Sequence, residues 1–570
     1  MHSIRRVESI ALGLVLLAAC PAPPDKPRYV GTGHTTPQYG GTFTFHHESA
    51  VRGLDPHMAF DELSFVAIKL LFDGLLEYDL DANLIPQLAE ALPEVTEQGK
   101  VFRFQLRKGI FFHDGQAVTA EDIRWSMERM LDPKIGSPGF TFYTQLDGLD
   151  AYRQGQAKHI QGIQVLDPYT IEFRLKAPDQ TFLNAMAMTF AYPVPRSLYE
   201  SRPHEAASKP IGTGPFSLQE WEAGVRLVFK RNHKYWDRTK PYVDRIVFLE
   251  NLTRDAAMMR FRTGEIDHAH RFSPSDYLYL IQSKAWKPYR IQEPEKDIWG
   301  VVMNCGIPPF TNVHVRRAVA YALDREGWSR ARNHRLRPTG QPIPPGILGY
   351  DPELEGRHVF NLARAKEEMR LAGYPNGIQQ EVELWIGHGS TGRFYGELTQ
   401  QDLAKIGIKI RLKPVAFALY MEESGKPGRV PMMISGWSQD FPDPADFLDI
   451  LFHSRAIHDH DSENRSFYSN PKLDALLDRA RIEQDRDRRR EMYIRAQQIV
   501  VNDAPWAFMW NDVHLEAWQP YVKGYRPHPV WSQHVRDVWL DLPKRRVAQR
   551  SSAINSRLAW AGWHSGRGEN

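Results

Sequence analysis

The sequence predicts a mixed α/β protein with more than one lobe. Segments in which apolar and polar residues alternate, as in half-buried strands, occur beside amphipathic helices. A chain of 570 residues is too long for one ordinary domain, so two or three lobes are expected. We find no internal repeat of fixed period, which separates this pattern from that of a solenoid or a propeller.

Strands and helices alternate between residues 41 and 540. The alternation in FRFQL (102–106) and IEFRL (171–175) predicts two strands. Apolar residues at helical spacing predict helices after a capping Thr119, over 312–326, over 361–375 and as a pair within 472–502. The third of these begins at a capping Asn361 and ends at Gly373, a typical C′ residue.

The N-terminus has the composition of a targeting segment. Residues 1–19 carry Arg5 and Arg6 before a short apolar run, which predicts a signal peptide. The ending LAAC looks like a bacterial lipobox and predicts lipidation of Cys20, with an ordinary signal peptide as the alternative. Residues 20–40 are rich in Pro and Gly and predict a tether. We therefore expect a body anchored to a membrane in the periplasm or cell envelope.

The C-terminal segment is basic. Residues 544–570 carry six Lys or Arg against one acid and predict a disordered basic tail.

The second cysteine of the chain is Cys305. If Cys20 is acylated, Cys305 has no partner for a disulfide. No His is near Cys305 in sequence, so we interpret it as a buried free thiol rather than a nucleophile.

Several function classes lack their motifs. A formal net charge of +3 is too small for a general nucleic-acid binder. Neither Gly-Lys pair (99–100 and 425–426) is followed by the Ser or Thr of a P-loop. The zinc-protease and nucleophile-elbow spacings also fail. We therefore predict that the protein is not an enzyme, and we keep a secreted hydrolase as a remote alternative.

Two histidine clusters raise the question of a metal. His268 and His270 are spaced for one face of a strand, whereas His458 and His460 lie with two acids in a polar loop. Neither cluster has a third, distant ligand that the sequence can name. We therefore predict no metal and no cofactor.

A series of motifs in fixed order supports a family resemblance. These are GGTFTF (40–45), GLDPH (53–57), LLFDGLLEYD (70–79), FRFQLRKGIFFHDGQAVTAEDIRWSMER (102–129), IGTGPF (211–216), NHKYW (232–236), FRTGEID (261–267), PPFTNVHVRRAVAYALDRE (308–326) and GWSQDFPDPADF (436–447). Over roughly residues 40–540 the chain resembles the bacterial extracellular solute-binding proteins of family 5, the peptide-, dipeptide- and nickel-binding components of ABC importers.

The resemblance implies a two-lobed periplasmic-binding-protein-like fold of class II with three subdomains and two hinge crossings. The hinge strands are placed near 297–304 and 505–512, which are apolar and extended. The expected parts are a discontinuous lobe I (41–75, 207–297 and 510–543), a subdomain inserted in it (76–206) and lobe II (298–509). Closure of the lobes would trap the ligand.

The resemblance also implies a binding site. In peptide-binding members the acid of a W-x-x-D element pairs with the α-amino group of the peptide, and Asp440 matches that acid, with a turn former as the alternative. Trp437 matches the aromatic residue that packs on the ligand, and the backbone of Ser438 is expected to contact it. His46 ends the first strand and is a further candidate. Asp443, between two prolines, is assigned to the turn.

The implied function is capture of peptides and their delivery to the transmembrane subunits of an ABC permease, by a monomer that does not bind nucleic acid. Another solute on the same fold, such as a nickel chelate, an opine or an oligosaccharide, is the alternative. The sequence shows no counterpart of the basic residue that holds a peptide C-terminus in some members, which leaves the peptide length open.

Overall fold

The computed structural model describes residue 27, residues 29–530 and residues 532–543. The predicted signal peptide, the lipidation site Cys20 and the predicted tail 544–570 lie outside the described residues. In the described part of the chain, no helix is long and apolar enough to cross a membrane.

The described residues form short strands that fall into three larger sheets and three two-stranded ones. In chain order the strands are β1 (Thr42–His46), β2 (Leu76–Tyr78), β3 (Leu84–Pro86), β4 (Glu94–Thr96), β5 (Val101–Gln105), β6 (Ile163–Asp167), β7 (Thr170–Arg174), β8 (Phe216–Glu222), β9 (Arg226–Arg231), β10 (Arg245–Leu249), β11 (His268–His270), β12 (Arg290–Pro294), β13 (Asp297–Met303), β14 (Leu336–Pro338), β15 (Ile378–Gly387), β16 (Ile408–Val415), β17 (Met432–Ser438), β18 (Trp506–Trp518), β19 (Val522–Lys523), β20 (Pro527–His528), β21 (Ser532–Gln533) and β22 (Trp539–Leu540).

Helices pack on the faces of these sheets. In chain order they are α1 (Glu62–Leu71), α2 (Ala120–Leu131), α3 (Leu149–Arg153), α4 (Phe182–Ala187), α5 (Arg196–Ser201), α6 (Pro203–Ser208), α7 (Arg254–Thr263), α8 (Pro274–Gln282), α9 (Val313–Ala322), α10 (Arg325–Ala331), α11 (Leu362–Leu371), α12 (Ser390–Ala404), α13 (Phe417–Ser424), α14 (Ala445–Phe452), α15 (Pro471–Ile482) and α16 (Arg486–Asp503).

The first lobe is built around the sheet β1-β10-β9-β8. Its core contains Phe43 and Phe45 of β1 together with Phe248 of β10, and these three side chains are almost fully buried. Tyr521 and Val538, from the far end of the chain, belong to the same core. The C-terminal residues therefore complete the lobe that the N-terminal residues begin.

A second sheet, β4-β5-β7-β6, forms a compact unit with α2 and α4. The two strands predicted from alternation are β5 and β7, which pair antiparallel so that Phe104 lies opposite Ile171. Thr119 caps α2 in a capping box with Asp122, as the sequence predicts for the start of this helix.

The large sheet holds β11-β18-β13-β17-β15-β16 in that order, and β12 and β14 also pair with β18. Alternate residues of its central strands enter two different cores: Val301 and Met509 face one helical layer, whereas Val302 and Phe508 face the other. Helices on both faces bury most residues of these strands, which explains their largely apolar sequence.

Strand β18 links the parts of the molecule. Its first residues pair with β13 in the second lobe, and its last residues pair with β11 and β12 beside the first lobe. The segments predicted as hinge crossings thus lie side by side in β13 and β18, with an irregularity between Trp299 and Gly300. The domain boundaries and the hinge itself stay predictions.

The helices predicted from sequence are present as well. The helix predicted over 312–326 is α9 followed by α10, and the pair predicted within 472–502 is α15 and α16. Asn361 caps α11 and Gly373 has a positive φ of 87° after its end. Cys305 is a free, half-buried thiol, and burial raises its pKa to about 11, so it stays protonated.

Candidate functional site

A cavity of about 560 Å³ lies between the two lobes. The first lobe contributes residues that follow β1 and residues near the C-terminus, the second lobe contributes the end of β17, and β12, β13 and β18 form its floor. Its lining contains Phe60, Asp61, Glu62, Phe65, Leu80, Arg271, Glu293, Glu295, Lys296, Asp297, Ser438, Gln439, Asp440, His514, Glu516, Arg526 and Val530. A cavity of this size holds a small ligand.

Acidic side chains dominate the cavity. Its lining has seven Asp or Glu residues against three Lys or Arg residues. His514 adds a positive charge, because the neighbouring Glu516 and Glu295 carboxylates raise its pKa to about 10 in spite of burial. The excess of carboxylates favours a ligand that carries a positive charge.

Asp440 stands in this lining, just after the end of β17. Its backbone N–H donates to Oδ2 of Asp446 at 2.9 Å, and the indole N–H of Trp437 donates to the same oxygen at 3.3 Å. Asp446 is fully buried at the start of α14. Helix α14 begins at Ala445, directly after the second proline, and its first turn orients Asp440.

The carboxylate of Asp440 has no partner within the described part of the chain. No group donates a hydrogen bond to it there, and no cation lies within 4.0 Å of it. Burial, and to a smaller extent the charge of Glu463, raises its pKa to about 7. Burial and the neighbouring Asp440 raise the pKa of Asp446 well above its usual range. A cation placed at Asp440 would remove the desolvation penalty of its ionised form.

The backbone of Ser438 also faces the cavity. Ser438 lies opposite Asp297 in the antiparallel pair β13–β17, and Gln439 N–H donates to Lys296 O at 3.0 Å. Because bonded and non-bonded pairs alternate, the N–H and C=O of Ser438 point away from β13. Ser438 is exposed and lines the cavity, so these groups are available to an extended ligand.

Trp437 and His46 lie outside the lining that the described residues form. Trp437 packs against the core between the large sheet and α14–α16. His46 is fully buried at the end of β1, with its ring 5.1 Å from that of His270. Direct contact of either side chain with a ligand stays a prediction.

The structure adds residues that sequence analysis did not name. Asp446 orients the Asp440 segment, and Arg526 lines the cavity with no ion pair among the described residues. Glu516 joins His268 and His270, and their ligating atoms lie within 4.8 Å of one another. His514 and Glu516 lie two positions apart in an extended run of the sequence, so they share one face of a strand. This spacing is the sequence signal that could have indicated a polar face on β18.

Most of the chain matches one known protein family. The profile described as "Bacterial extracellular solute-binding proteins, family 5 Middle" matches residues 83–459, more than half of the chain. The chain belongs to this family. The resemblance noted in the sequence is confirmed, and so is the two-lobed fold.

Relatives of this family 5 protein match it over nearly their whole length. Heme-binding protein A of Haemophilus influenzae is 27% identical over 91% of this chain and 96% of its own. Di/tripeptide-binding protein 2 of Pseudomonas aeruginosa is 28% identical, covering 87% and 94%. A periplasmic binding protein of Helicobacter pylori, solved in complex with the peptide STSA, is 26% identical and superposes with a TM-score of 0.71 over 88% of this chain and 99% of that one.

Proposed function

We propose that this family 5 protein captures short peptides in the interlobe cavity and delivers them to an ABC permease. The observation that carries the proposal is the carboxylate of Asp440, which faces the cavity without a partner among the described residues. An N-terminal ammonium is common to all peptides, so one fixed carboxylate recognises the class without reading side chains. The relatives named for di- and tripeptides support this assignment.

The charge of the cavity separates this proposal from its rivals. A relative is named for heme, which carries two propionates, and opines and many metal chelates are anionic. The lining carries more acidic than basic residues, and this excess would repel such ligands. An uncharged oligosaccharide would leave Asp440 desolvated and unpaired, which is costly. A ligand with an ammonium group is the class that this lining favours.

Arg526 is a candidate partner for the C-terminal carboxylate of the peptide. Lys296 also lines the cavity, but its ammonium donates to the carbonyl of Pro345, and Arg271 pairs with Glu62 at 2.6 Å. Arg526 is exposed and makes no ion pair with another described residue. We assign it to the peptide carboxylate, which a guanidinium binds well. Extended backbone between the two ends would pair with Ser438.

We also propose that the protein works at the outer face of a membrane, held there by a lipid on Cys20. The signal-like segment and the tether in the sequence support this. Cys20→Ala should release the protein from the membrane fraction or leave its precursor unprocessed. Unchanged fractionation and unchanged mass would contradict the anchor without affecting the peptide assignment.

Calorimetric titration of a dipeptide and a tripeptide tests the role of Asp440. Asp440→Asn keeps the shape and removes the charge, and we expect it to cost ~2–5 kcal/mol of binding free energy, a loss of roughly 30-fold to several thousand-fold in affinity. Acetylating the peptide N-terminus should cause a similar loss in the wild type. The two losses should not add, because each removes the same pair.

A matched control is Glu293→Gln, which removes another carboxylate from the same lining. We expect at most a few-fold loss, since Glu293 acts through the general field of the cavity rather than through a contact. Equal binding of free and acetylated peptides by the wild type would overturn the proposal. A heme titration followed by absorbance then tests the anionic alternative.

A further inference from the structure

A cluster of buried histidines lies behind the floor of the cavity, and of its members only the neighbouring Glu516 belongs to the cavity lining. His46, His268 and His270 are 0–1% exposed, and Glu516 beside them is 0% exposed. Buried polar side chains are normally paired, so such a group inside a protein calls for an explanation.

Strand pairing brings the cluster together. In the antiparallel pair β11–β18, His270 lies opposite Glu516, and His268, two residues earlier, shares the face of His270. Strand β1 ends against this face, so the ring of His46 lies 5.1 Å from the ring of His270. Residues from three distant parts of the chain thus meet in one dry space.

Several nitrogen atoms in this space have no partner among the described residues. They are both ring nitrogens of His46, Nδ1 of His268, Nε2 of His270 and Nε2 of the adjacent His47. All four of these side chains are more than nine-tenths buried. His268 also places its other nitrogen, Nε2, 3.0 Å from Oε2 of Glu516. Native proteins contain few buried polar atoms without a partner, so five such nitrogens on four neighbouring rings indicate a missing partner.

A missing partner can be one that accepts a lone pair, because a neutral imidazole carries one N–H and one bare nitrogen. Both ring nitrogens of His46 are unpaired among the described residues, so His46 offers a bare nitrogen to this space in either tautomer. A bare imidazole nitrogen and a carboxylate are the groups that coordinate metals.

Outer contacts hold these groups in place. The side-chain amide of Gln533 lies 2.7 Å from Nδ1 of His270, and when the amide is turned so that its oxygen accepts from Nδ1–H, the lone pair of the ring stands on Nε2. Oε1 of Glu516 contacts Nε2 of His514 at 2.6 Å, and the Tyr525 hydroxyl donates to Oε2. Orientation of ligands by such second contacts is characteristic of metal sites.

We propose that His46, His268, His270 and Glu516 bind a divalent transition-metal ion such as Zn²⁺. Imidazole and carboxylate donors suit zinc and also nickel, copper and iron. The ligating atoms of His268, His270 and Glu516 are within 4.8 Å of one another, and tetrahedral zinc needs roughly 3.4 Å between ligands, so the side chains close by about one ångström. The ion would join β1 of the first lobe to β18, directly below the cavity.

The experiment uses the purified protein without a polyhistidine tag. After removal of metal with a chelator, ZnCl₂ and NiCl₂ are titrated calorimetrically, and bound metal is counted by elemental mass spectrometry. We expect one equivalent of Zn²⁺ and an upward shift of the unfolding temperature on binding. His270→Ala and Glu516→Gln should each weaken binding by at least tenfold, and His46→Asn provides a second, milder change at the same site.

The matched control is His460→Ala in the exposed loop that carries the other histidine cluster. It should leave binding unchanged. Loss of the metal in His460→Ala but not in His270→Ala would place the ion at the loop and overturn the proposal. So would absence of binding by the wild type, since the cluster would then be a hydrogen-bonded group around buried water. The readouts need no peptide, so this result stands apart from the proposed function.

Discussion

At the scale of single residues, Asp440 links peptide binding to pH. Its pKa of about 7 in the empty protein follows from burial and from Glu463, and the adjacent Asp446 is buried against it. A peptide ammonium binds the ionised form of Asp440. At lower pH more of the empty protein has Asp440 protonated, and this proton must leave before the peptide binds. We expect affinity for a peptide to fall roughly tenfold or more between pH 7.0 and pH 5.5.

Calorimetry at the two pH values checks this prediction. The peptide ammonium remains largely protonated at both, because its ordinary pKa is ~7.7–8.0. Asp440→Asn should show weak binding that changes little with pH. A wild-type affinity that is flat over this range would show that Asp440 is already ionised in the empty protein or does not contact the ammonium.

At the scale of elements, a buried ion pair fastens the turn after β17 to helix α16. Asp443, which the sequence assigns to the turn, accepts two bonds from Arg489 at 2.7 and 2.8 Å and also caps Ala445 N–H. Each side chain of the pair is 9% exposed. The arginine-rich first turns of α16 therefore contain one buried residue that the turn requires.

Arg489→Ala should lower the free energy of unfolding of the second lobe by ~3–5 kcal/mol, because it leaves Asp443 buried without its partner. Arg488→Ala, one residue earlier and exposed, should change it by less than ~0.5 kcal/mol. Chemical unfolding followed by circular dichroism measures both. The double variant Asp443→Leu/Arg489→Met should recover much of the loss, and no recovery would mean that the arginine acts through other contacts.

At the scale of the whole molecule, the lobes touch across the cavity. Asp179, from the inserted subdomain, accepts from Arg481 of the second lobe at 2.7 Å, and Gln180 N–H donates to Arg481 O at 3.0 Å. Phe441 packs into the core of the subdomain, with its ring 6.3 Å from Phe142. These contacts lie outside the cavity lining, and we expect them to favour a closed arrangement of the lobes.

Arg481→Ala should shift the population toward an open form and so weaken peptide binding. If the ion pair stabilises the closed form by ~1–2 kcal/mol, its loss should lower the affinity for a peptide roughly 5- to 30-fold. Small-angle scattering of the empty variant should show a larger radius of gyration than the wild type. Arg479→Ala, exposed on the same helix, is the control. Identical scattering and affinity in the Arg481 variant would indicate a rigid cavity instead of a hinge.

Local pattern determined much of this protein. Alternation predicted β5 and β7, capping residues predicted α2 and α11, and ordered motifs predicted the family and the place of Asp440. These features depend on residues a few positions apart, whose interactions do not require knowledge of the rest of the chain.

Tertiary structure alone decided which distant residues meet. Glu516 meets His270 through the register of β11 with β18, across about 250 residues. Arg489 reaches Asp443, and Arg526 enters the cavity, only after the lobes have packed. Sequence cannot supply these pairs, because register and packing select one partner for each polar side chain among many of the same type. The cost of burying an unpaired group then makes that choice essential to the fold.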